Sequence, residues 1–311
     1  MPGSAPEPRR RGGAGDPPLR GGLVVVDKPA GLTSHDVVAR VRRLAGTKRV
    51  GHAGTLDPMA TGVLLIGIGR ATRLLGHLAL HDKDYVATMR LGQTTSSDDA
   101  EGEVLTSTPA AHLAPDVIAQ AVAGFVGEIK QRPPAVSAIK VDGKRAYARA
   151  RAGEDVVLAE RPVTVSRLDV IAVRPVEGED TALLDVDVEV TCSTGTYIRA
   201  LARDVGATLG VGGHLSALRR TRVGAFDLTS ARGLAELETD FTMTPLDEVA
   251  AATFARRDVA ADEAAALSHG GTLPASGMGD VVVAAFGPGD VFIALLEDDE
   301  DRARTRAVFV D

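Results

Sequence analysis

The alternation of apolar and polar residues predicts several β-strands in the first 245 residues. The clearest case is Leu183–Cys192, LLDVDVEVTC, in which valines alternate with acidic residues at a period of two. Val186, Val188 and Val190 should face the core, and Asp185, Asp187 and Glu189 should face water. A continuous apolar run at Val63–Ile68 predicts a central strand. Further strands are predicted at Leu23–Val26 and at Asp84–Leu91, which carries Tyr85.

Two amphipathic helices are predicted between these strands. The first follows Thr33, which can cap it with Asp36 as a capping-box partner, and it continues to about Leu44. The second follows the Ser-Thr-Gly-Thr-Tyr segment after Cys192. It should bury Ile198, Leu201, Ala202 and Val205 and carry Arg199 and Arg203 one turn apart on another face. Strands interleaved with helices predict a mixed sheet domain up to about Pro245.

The pattern changes at both ends of the chain. After Glu248 one helix, Ala261–Ser268, is predicted among three short strands, Val281–Phe286, Val291–Leu296 and Arg304–Val310. Residues 1–21 are rich in Pro, Gly and Arg, a composition that favours disorder. The predicted organisation is therefore a disordered tail at 1–21, a large domain at 22–248 that is long enough for a catalytic domain, and a small, mainly β module at 249–311.

Composition narrows the class of protein. Hydrophobic residues make up 44% of the 311, which suffices for a core, and tryptophan is absent. Cys192 is the only cysteine, so neither an internal disulfide nor a thiolate zinc cluster can form, which fits a reducing cytoplasm. No apolar run reaches the roughly 18 residues of a membrane span, and the first residues do not resemble a secretion signal.

The charge is unevenly distributed. The net charge of −7 argues mildly against nucleic-acid binding, but basic residues cluster at Val37–Arg73, Lys130–Arg151 and Tyr197–Arg222. Acidic residues gather elsewhere, most densely at Glu297–Asp301, which is expected to form the turn between the last two predicted strands. A basic face on an acidic protein suits a polyanion, although solvated surface charge alone also gives such clusters.

The segment GHAGTLDPMATG, Gly51–Gly62, is the most informative single stretch. Asp57 is the only acidic residue from Val37 to Arg73, and opposite charge nearby favours the ionised form. Pro58 stiffens the backbone, and Gly51, Gly54 and Gly62 permit close approach to something bulky. These features suit a nucleophile that acts on nucleic acid. An ordinary Asp-Pro turn in a loop explains the same residues.

Cofactor motifs are not found. The chain has no phosphate-binding GxxxxGK[ST] loop, and the glycine-rich turn at 211–214 lacks the rest of a dinucleotide fingerprint. His77 and His81 are four residues apart on a predicted helix, a spacing that can bind zinc, but no third ligand is evident. We therefore expect no cofactor and no metal.

Six motifs in order resemble the bacterial TruB family of tRNA pseudouridine synthases. They extend from about Gly22 to Phe226. The motifs are VVDKPAGLTSHDVV, KRVGHAGTLDPMATGVLLIGIGRATR, KDYVATMRLGQTTSSDDAEG, RPPAVSAIKVDGKRAY, CSTGTYIRALARDVG and GGHLSALRRTRVG. The resemblance implies an α+β fold with a mixed, largely antiparallel sheet flanked by helices and loops. It also implies that the C-terminal module is a PUA-like RNA-binding module. The acidic run Glu297–Asp301 is a departure from the family pattern.

The resemblance assigns roles to individual residues. Asp57 matches the nucleophile, Tyr85 the tyrosine that stacks on the target base, and Arg199 the arginine that pairs with the nucleophile. The implied substrate-binding residues are His52, Leu218, Asp99, Lys28 and Tyr197, the last as a buried tyrosine that precedes Arg199. Asp98 leaves the match at Asp99 ambiguous by one residue. Without the family, Tyr85 is equally a core aromatic, His52 a loop histidine and Arg199 a surface arginine. The KPAG segment at Lys28–Gly31 and the segment Ser137–Lys140 match motifs of more structural role.

The implied activity is isomerisation of uridine 55 in the T loop of tRNA to pseudouridine, by base flipping and an aspartate nucleophile. The expected partner is the T arm of tRNA. A cytoplasmic monomer with no protein partner, no cofactor and no membrane association is expected. The alternative is a non-catalytic RNA-binding or RNA-folding factor on the same fold. The presence of Asp57, Tyr85 and Arg199 together argues against it, because binding alone needs no nucleophile.

Overall fold

The computed structural model describes residues 20–135, 140–141, 144–145, 158–177 and 182–310. The predicted N-terminal tail up to residue 19 and most of the Ser137–Lys140 motif lie outside the described residues. The described chain forms two compact units. The larger comprises residues 23–67 and 72–244, and the smaller comprises residues 20–22, 68–71 and 245–310.

The chain forms short and long strands and seven described helices. The strands are β1 Gly21–Lys28, β2 Val50–Ala53, β3 Thr61–Gly69, β4 Lys83–Leu91, β5 Gln93–Thr95, β6 Val104–Ser107, β7 Gly127–Gln131, β8 Lys140–Val141, β9 Lys144–Arg145, β10 Arg161–Pro175, β11 Leu184–Cys192, β12 Gly213–Val223, β13 Phe226–Asp227, β14 Arg232–Gly233, β15 Thr244–Pro245, β16 Ala255–Asp258, β17 Thr272–Pro274, β18 Val283–Gly287, β19 Val291–Asp299 and β20 Arg302–Val308. The helices are α1 Ser34–Leu44, α2 Leu75–Leu78, α3 Pro115–Ala123, α4 Ile198–Thr208, α5 Leu234–Thr239, α6 Leu246–Thr253 and α7 Ala261–Ser268, with a 3₁₀ turn at Arg70–Arg73.

The main sheet has the order β14-β1-β3-β12-β4-β11-β10-β7. Strand β4 lies between β12 and β11 and is antiparallel to both, whereas β12 is parallel to β3. Helices α3 and α4 contribute Ile118, Val122, Ile198, Leu201 and Val205 to the core that packs on this sheet. The predicted α+β fold with a mixed, largely antiparallel sheet is therefore confirmed.

The period-two prediction for strand β11 is confirmed for the valines of its inner face and is wrong for one aspartate of its outer face. Val186, Val188 and Val190 are buried, as predicted. Asp185 was expected to face water, but only 5% of it is exposed. Its two carboxylate oxygens bind Arg90 at 2.9 Å and Arg174 at 3.0 Å. Long arginine side chains on the neighbouring strands β4 and β10 cover this carboxylate, a consequence of sheet pairing rather than of the strand's own pattern.

Helix α1 begins as predicted. Thr33 accepts a hydrogen bond from the Asp36 backbone, and the Asp36 carboxylate accepts one from the Thr33 backbone, which completes the capping box. The helix predicted through His77 and His81 is wrong, because α2 ends at Leu78. Within the described ranges, no three His, Cys, Asp or Glu side chains are grouped as metal ligands. No described helix is long and apolar enough to cross a bilayer.

The smaller unit is built on a five-stranded sheet in the order β16-β18-β19-β20-β17, with α7 packed on it. The predicted β character of the C-terminal part is confirmed. The acidic run was expected to form a turn, but its first half continues β19. There Glu297 and Asp299 pair with Arg306 and Arg304 on β20. The arginines compensate the acidic strand because they alternate on the adjacent one.

Candidate active site

The loop that carries Asp57 connects β2 to β3 and is anchored by the segment between β1 and α1. The Ser34 hydroxyl donates to the Leu56 carbonyl at 3.0 Å and accepts from the Leu56 amide at 2.9 Å. The Pro58 carbonyl accepts from the Gly31 amide at 2.8 Å and from the Lys28 ammonium at 3.2 Å. The backbone is therefore fixed on both sides of Asp57.

The glycines of this loop serve the protein's own packing. Gly62 has a φ of +97°, and a Cβ there would lie 2.1 Å from the Arg220 carbonyl oxygen. Gly54 has a φ of +76° and lies against the Arg220 and Lys83 side chains. The bulky object that the glycines of this segment approach is strand β12 and its neighbours, so a side chain at Gly62 would displace β12 from β3.

Arg199 joins the Asp57 loop to the loop between β5 and β6. It lies in the first turn of α4 and is only 4% exposed, so the prediction that it lies apart from the helix's buried face is wrong. Its Nε lies 3.0 Å from the Asp57 carboxylate, and its Nη1 lies 3.2 Å from the Asp99 carboxylate. Nη1 also donates to the Ser97 carbonyl at 2.8 Å. One buried guanidinium thus holds two carboxylates, and Asp99 rather than Asp98 is the one that reaches it.

The electrostatic environment of Asp57 differs from the expectation based on its stretch of sequence. Burial raises the pKa of Asp57, the Arg199 guanidinium opposes that rise, and Asp99 adds to it. Lys28 opposes the rise more weakly. Neither cation belongs to the basic cluster at Val37–Arg73. The nearby positive charge therefore comes from other parts of the fold, and it does not fully offset the cost of burying the carboxylate.

One face of β4 and β12 forms the opposite wall. Lys83 and Tyr85 are two residues apart on β4 and therefore lie on the same face of the strand. The cross-strand neighbour of Tyr85 on β12 is Arg220. Tyr85 is 7% exposed, and burial raises its pKa, which the neighbouring Arg220 opposes. Arg220 is 1% exposed and donates to the carbonyls of Val63 at 2.7 Å and Gly54 at 3.0 Å. This buried arginine therefore locks the Asp57 loop against the sheet.

Lys83 is an ionisable group that the sequence reasoning missed. Its ammonium donates to the carbonyls of Ala79 at 2.9 Å and His81 at 2.7 Å. Burial lowers its pKa to about 8. Arg220 was also missed. The sequence did contain a signal for both, because residues two apart on a strand lie on the same face. Lys83 precedes Tyr85 by two residues, and Arg220 follows Leu218 by two residues on a neighbouring strand.

These walls enclose a cavity of about 250 Å³. Its lining includes five residues identified from the sequence: Asp57, Tyr85, Tyr197, Arg199 and Leu218. It also includes Lys83, Arg220 and the turn of residues 193–196. The volume lies just below the roughly 300 Å³ at which pockets for drug-sized ligands begin, so it suits one small chemical group. A carboxylate, a buried phenol and three cations converge on that space.

The remaining sequence-identified residues lie outside the cavity wall. Asp99 supports Arg199 from behind. Lys28 is fully buried and donates to the carbonyls of Pro29, Leu32 and Pro58, so it holds the backbone beside Asp57. His52 lies on β2, with its ring 5.5 Å from that of His35 in an edge-on arrangement. Burial lowers the pKa of His52, and its buried Nδ1 has no hydrogen-bond partner in the described structure.

Tyr197 caps the entry to α4. Its backbone amide donates to the Gln131 side chain at 2.8 Å, and the Gln131 amide donates back to the Tyr197 carbonyl at 3.0 Å. The resemblance implied a buried tyrosine, but Tyr197 is half-buried, because it lies at the mouth of the cavity. This paired contact fixes the start of the helix that presents Arg199.

Comparisons with known proteins identify the class of this fold. The solved structures that the chain resembles include "Crystal Structure of a Cbf5-Nop10-Gar1 Complex", with a TM-score of 0.70, 28% identity and coverage of 94% of this chain and 86% of that one. Another is "Structure of H/ACA RNP bound to a substrate RNA containing 2'-deoxyuridine", with a TM-score of 0.69, 26% identity and coverage of 94% and 86%. The fold is that of the pseudouridine synthases.

The family follows from sequence models and relatives. The model "TruB family pseudouridylate synthase (N terminal domain)" matches residues 42–198, and "tRNA Pseudouridine synthase II, C terminal" matches residues 254–310. Proteins named "tRNA pseudouridine synthase B" from Mycobacteroides abscessus and Thermobifida fusca are 58% and 56% identical. The alignments cover 95% and 93% of this chain and 97% and 98% of those proteins. The chain belongs to the TruB family.

Proposed function

We propose that this protein converts uridine 55 in the T loop of tRNA to pseudouridine, with Asp57 as the nucleophile. The observation that carries the proposal is the one cavity whose walls bring together Asp57, Tyr85 and Arg199. These residues come from three separate elements, the β2–β3 loop, β4 and α4. Relatives more than half identical over nearly their full length carry the name tRNA pseudouridine synthase, which supports tRNA as the substrate.

The reaction is an isomerisation. The N1–C1′ bond of the target uridine breaks, the uracil turns, and a C5–C1′ bond forms. The proton on C5 leaves and N1 gains one, so atoms and electrons balance without a cofactor. Asp57 attacks either C1′, displacing the base, or C6 of the ring, and both routes release the carboxylate at the end.

Arg199 aims the nucleophile. Its Nε lies 3.0 Å from the Asp57 carboxylate while its Nη1 is held by Asp99 and the Ser97 carbonyl. A guanidinium held on both sides loses little freedom when it orients a third group. Because Arg199 opposes the rise in the pKa of Asp57, it also keeps the carboxylate in its nucleophilic, ionised form.

Tyr85 and the cations beside it receive the extruded base. A base flipped out of its stack costs a few kcal/mol, and stacking on an aromatic ring returns about 1–3 kcal/mol. The Tyr85 hydroxyl is placed next to Arg220 and is a candidate to take the C5 proton. Lys83, also in the cavity wall, can donate to a uracil carbonyl.

The RNA loop itself contacts the surface around the cavity. His52, with an unsatisfied buried nitrogen, is suited to fill the space that a flipped base leaves in the loop. A second groove of about 510 Å³ shares Leu218 with the cavity and includes Thr88, Ser216 and Arg219. It can accept nucleotides next to the target. We further propose that the protein acts as a cytoplasmic monomer that needs neither a cofactor nor a protein partner.

The test is to incubate the purified protein with an unmodified tRNA transcript and to map pseudouridine at each position. We expect one product, at position 55, which disappears when that uridine is replaced by cytidine. Asp57→Asn should abolish it. Tight binding of the transcript by the wild-type protein without any product would instead establish the RNA-binding or RNA-folding alternative.

A further inference from the structure

A second arginine on α4 repeats the arrangement of Arg199 one turn further along. Arg203 Nη1 lies 2.9 Å from the carboxylate of Asp98, next in sequence to Asp99. Two arginines one turn apart on one helix thus bind two adjacent carboxylates of the β5–β6 loop. Within the described chain, the cavity wall is formed without Asp98 or Arg203. The outer pair can therefore act on the reaction through the inner one.

Asp98 has an unfavourable backbone conformation. Its φ is +60°, in the left-handed region that residues other than glycine seldom adopt, although Asp and Asn tolerate it best. Such a conformation is unfavourable and persists only where the surroundings enforce it. The Asp98 carbonyl accepts from the Leu215 amide at 3.0 Å, and the side chain is held by Arg203. The ion pair is therefore part of what keeps the loop in this shape.

The position of Asp99 depends directly on that shape. One Asp99 carboxylate oxygen accepts from the Ser97 hydroxyl at 2.5 Å and from the Glu101 amide at 3.1 Å. The other lies 3.2 Å from Arg199 Nη1, which also binds the Ser97 carbonyl. Because Arg199 takes two of its contacts from this loop, a shift of the loop moves the guanidinium that aims Asp57.

Arg203 is well placed to hold Asp98 and the β5–β6 loop in position. The side chains of Arg203 and Asp98 are only 26% and 17% exposed, so solvent screens their attraction less than that of a surface pair. The Arg203 Nη2 donates to the Arg132 carbonyl at 2.8 Å, which ties the guanidinium to the chain after β7. Arg203 Nε also pairs with Asp204 at 2.8 Å, a contact that does not involve the loop.

We propose that Asp98 and Arg203 are positioning residues of the active site, whose ion pair fixes the β5–β6 loop so that Asp99 holds Arg199 against Asp57. This inference rests on the proposed function of the site. It predicts that loss of the outer pair slows the chemical step while RNA affinity stays the same.

The variants separate the pair from its surroundings. Asp98→Asn keeps the size of the side chain and the tolerance of a positive φ but removes the charge. Arg203→Met removes the other partner. Asp204→Asn is the matched control, since it removes the second carboxylate of Arg203 without touching the loop. The measurements are the saturated single-turnover rate of pseudouridine formation, the Kd for tRNA and the melting temperature.

We expect Asp98→Asn and Arg203→Met each to lower the saturated rate about 10-fold or more, since a displacement of about 1 Å can cost up to 100-fold. Kd should stay within about twofold. The double variant should be no slower than the slower single variant, because both changes break one interaction. Asp204→Asn should retain the wild-type rate. Arg203→Lys, which keeps the charge, should recover part of the rate lost in Arg203→Met.

The pH–rate profile adds a measurement that a merely structural role would not change. A displaced Arg199 opposes the rise in the pKa of Asp57 less well. The acid limb should therefore move to higher pH in Asp98→Asn and not in Asp204→Asn. The other groups that face Asp57 are Lys28 on β1, Tyr85 on β4, and Asp99 and Glu101 on the β5–β6 loop.

A measurement without substrate keeps this inference separate from the proposed function. The Arg199 Nε–H resonance in ¹⁵N NMR should shift in Asp98→Asn and stay in place in Asp204→Asn. A wild-type rate and an unmoved resonance in Asp98→Asn would overturn the inference even if the wild-type protein makes pseudouridine. An equal loss of rate in Asp204→Asn would overturn it as well. If the wild-type protein makes no pseudouridine, the proposed function fails. The Arg199 Nε–H resonance alone then decides whether the Asp98–Arg203 pair fixes the position of Arg199.

Discussion

The two units of this protein differ in where their charged side chains lie: the larger unit buries several of them, and the smaller unit keeps them at its surface. All ten buried polar or charged side chains of the described residues lie in the larger unit: Lys28, Ser34, Lys83, Thr95, Asp99, Gln131, Asp185, Arg199, His214 and Arg220. The core of the described part of the smaller unit is apolar. Phe292 stacks on Phe309 at 4.5 Å and packs against Phe286 at 5.6 Å. Its ion pairs, such as Arg256–Asp290 and Arg304–Asp299, lie at the surface.

The difference shows where the fold gives up stability for another purpose. A buried charge costs several kcal/mol of desolvation unless partners satisfy it, and an apolar core of the same volume is often as stable. Most of the buried charges in the larger unit lie at or beside the Asp57 cavity. Asp185, on another part of the sheet, is the instructive exception, because it is paired with both Arg90 and Arg174 and lines neither the Asp57 cavity nor the groove beside it. Buried charge at the cavity should serve chemistry, and buried charge away from it should serve stability.

The largest effect is expected for Arg199→Met. The change leaves Asp57 and Asp99 close together without their shared cation, so the pKa of Asp57 should rise further and its aim should be lost. We expect the saturated single-turnover rate to fall about 10³-fold, as for loss of a preorganised charged group. Arg90→Met is the matched control, and it should lower the melting temperature while leaving that rate near the wild-type value. Equal rate losses in both variants would erase the distinction between the two kinds of buried charge.

The next effect is expected for Tyr85→Phe, which keeps the ring and removes the hydroxyl. If the hydroxyl takes the C5 proton, the saturated rate should fall about 100-fold, the lower end of what a general base contributes. The Kd for tRNA should change little, since the stacking surface remains. Quench-flow measurement of single turnovers, with binding measured in parallel, checks both. An unchanged rate would assign proton removal to another group, with Lys83 the nearest candidate in the cavity wall.

A moderate effect is expected from pH. The pKa of Asp57 is raised by burial, so the nucleophilic form should be lost as pH falls through a value above 3.8, the ordinary value for an aspartate. The saturated rate should fall with a slope of one on the acid side while RNA binding persists. The same shift means that ionised Asp57 costs folding stability above its folded-state pKa, and that this cost disappears at low pH. A rate that is constant down to the ordinary pKa would contradict the raised pKa of Asp57, whose side chain is half-buried.

The smallest effect is expected in the smaller unit. Glu300 and Asp301 lie exposed at the tip of the β19–β20 hairpin. Changing both to their amides should alter the Kd for tRNA by about threefold or less, because two exposed charges at about 0.3 kcal/mol each correspond to about threefold. The saturated rate should not change. A large gain in affinity would mean that the acidic run lies close to bound RNA, and a loss of rate would contradict the assignment of chemistry to the larger unit alone.

Sequence patterns predicted the frame of the site better than its charge network. The period of two located β11 and the apolar run located β3, because those signals depend on burial along a single strand. The burial of Asp185 and Arg220 depends on side chains from adjacent strands, which a one-dimensional pattern does not contain. The same limit explains why Lys83 went unnoticed, although it stands two residues before Tyr85.

The carboxylates beside Arg199 show the second limit. The sequence left Asp98 and Asp99 ambiguous, and only the positive φ of Asp98 and the register of the β5–β6 loop determine which one faces α4's first turn. Asp57 looked isolated among basic residues because the sequence showed only its neighbours along the chain. The cations that act on it come from β1 and α4, and its partner Asp99 comes from the β5–β6 loop.

The most direct test compares Asp57→Asn with Asp185→Asn on tRNA labelled with tritium at C5 of uridine. Formation of the C5–C1′ bond releases that tritium to water. At saturation the wild-type protein and Asp185→Asn should release tritium at similar rates, and Asp57→Asn should release none above background while binding tRNA within a few-fold of wild type. Asp185→Asn should melt at a lower temperature than Asp57→Asn. Tritium release by Asp57→Asn, or a loss of rate in Asp185→Asn at an unchanged melting temperature, would contradict the account.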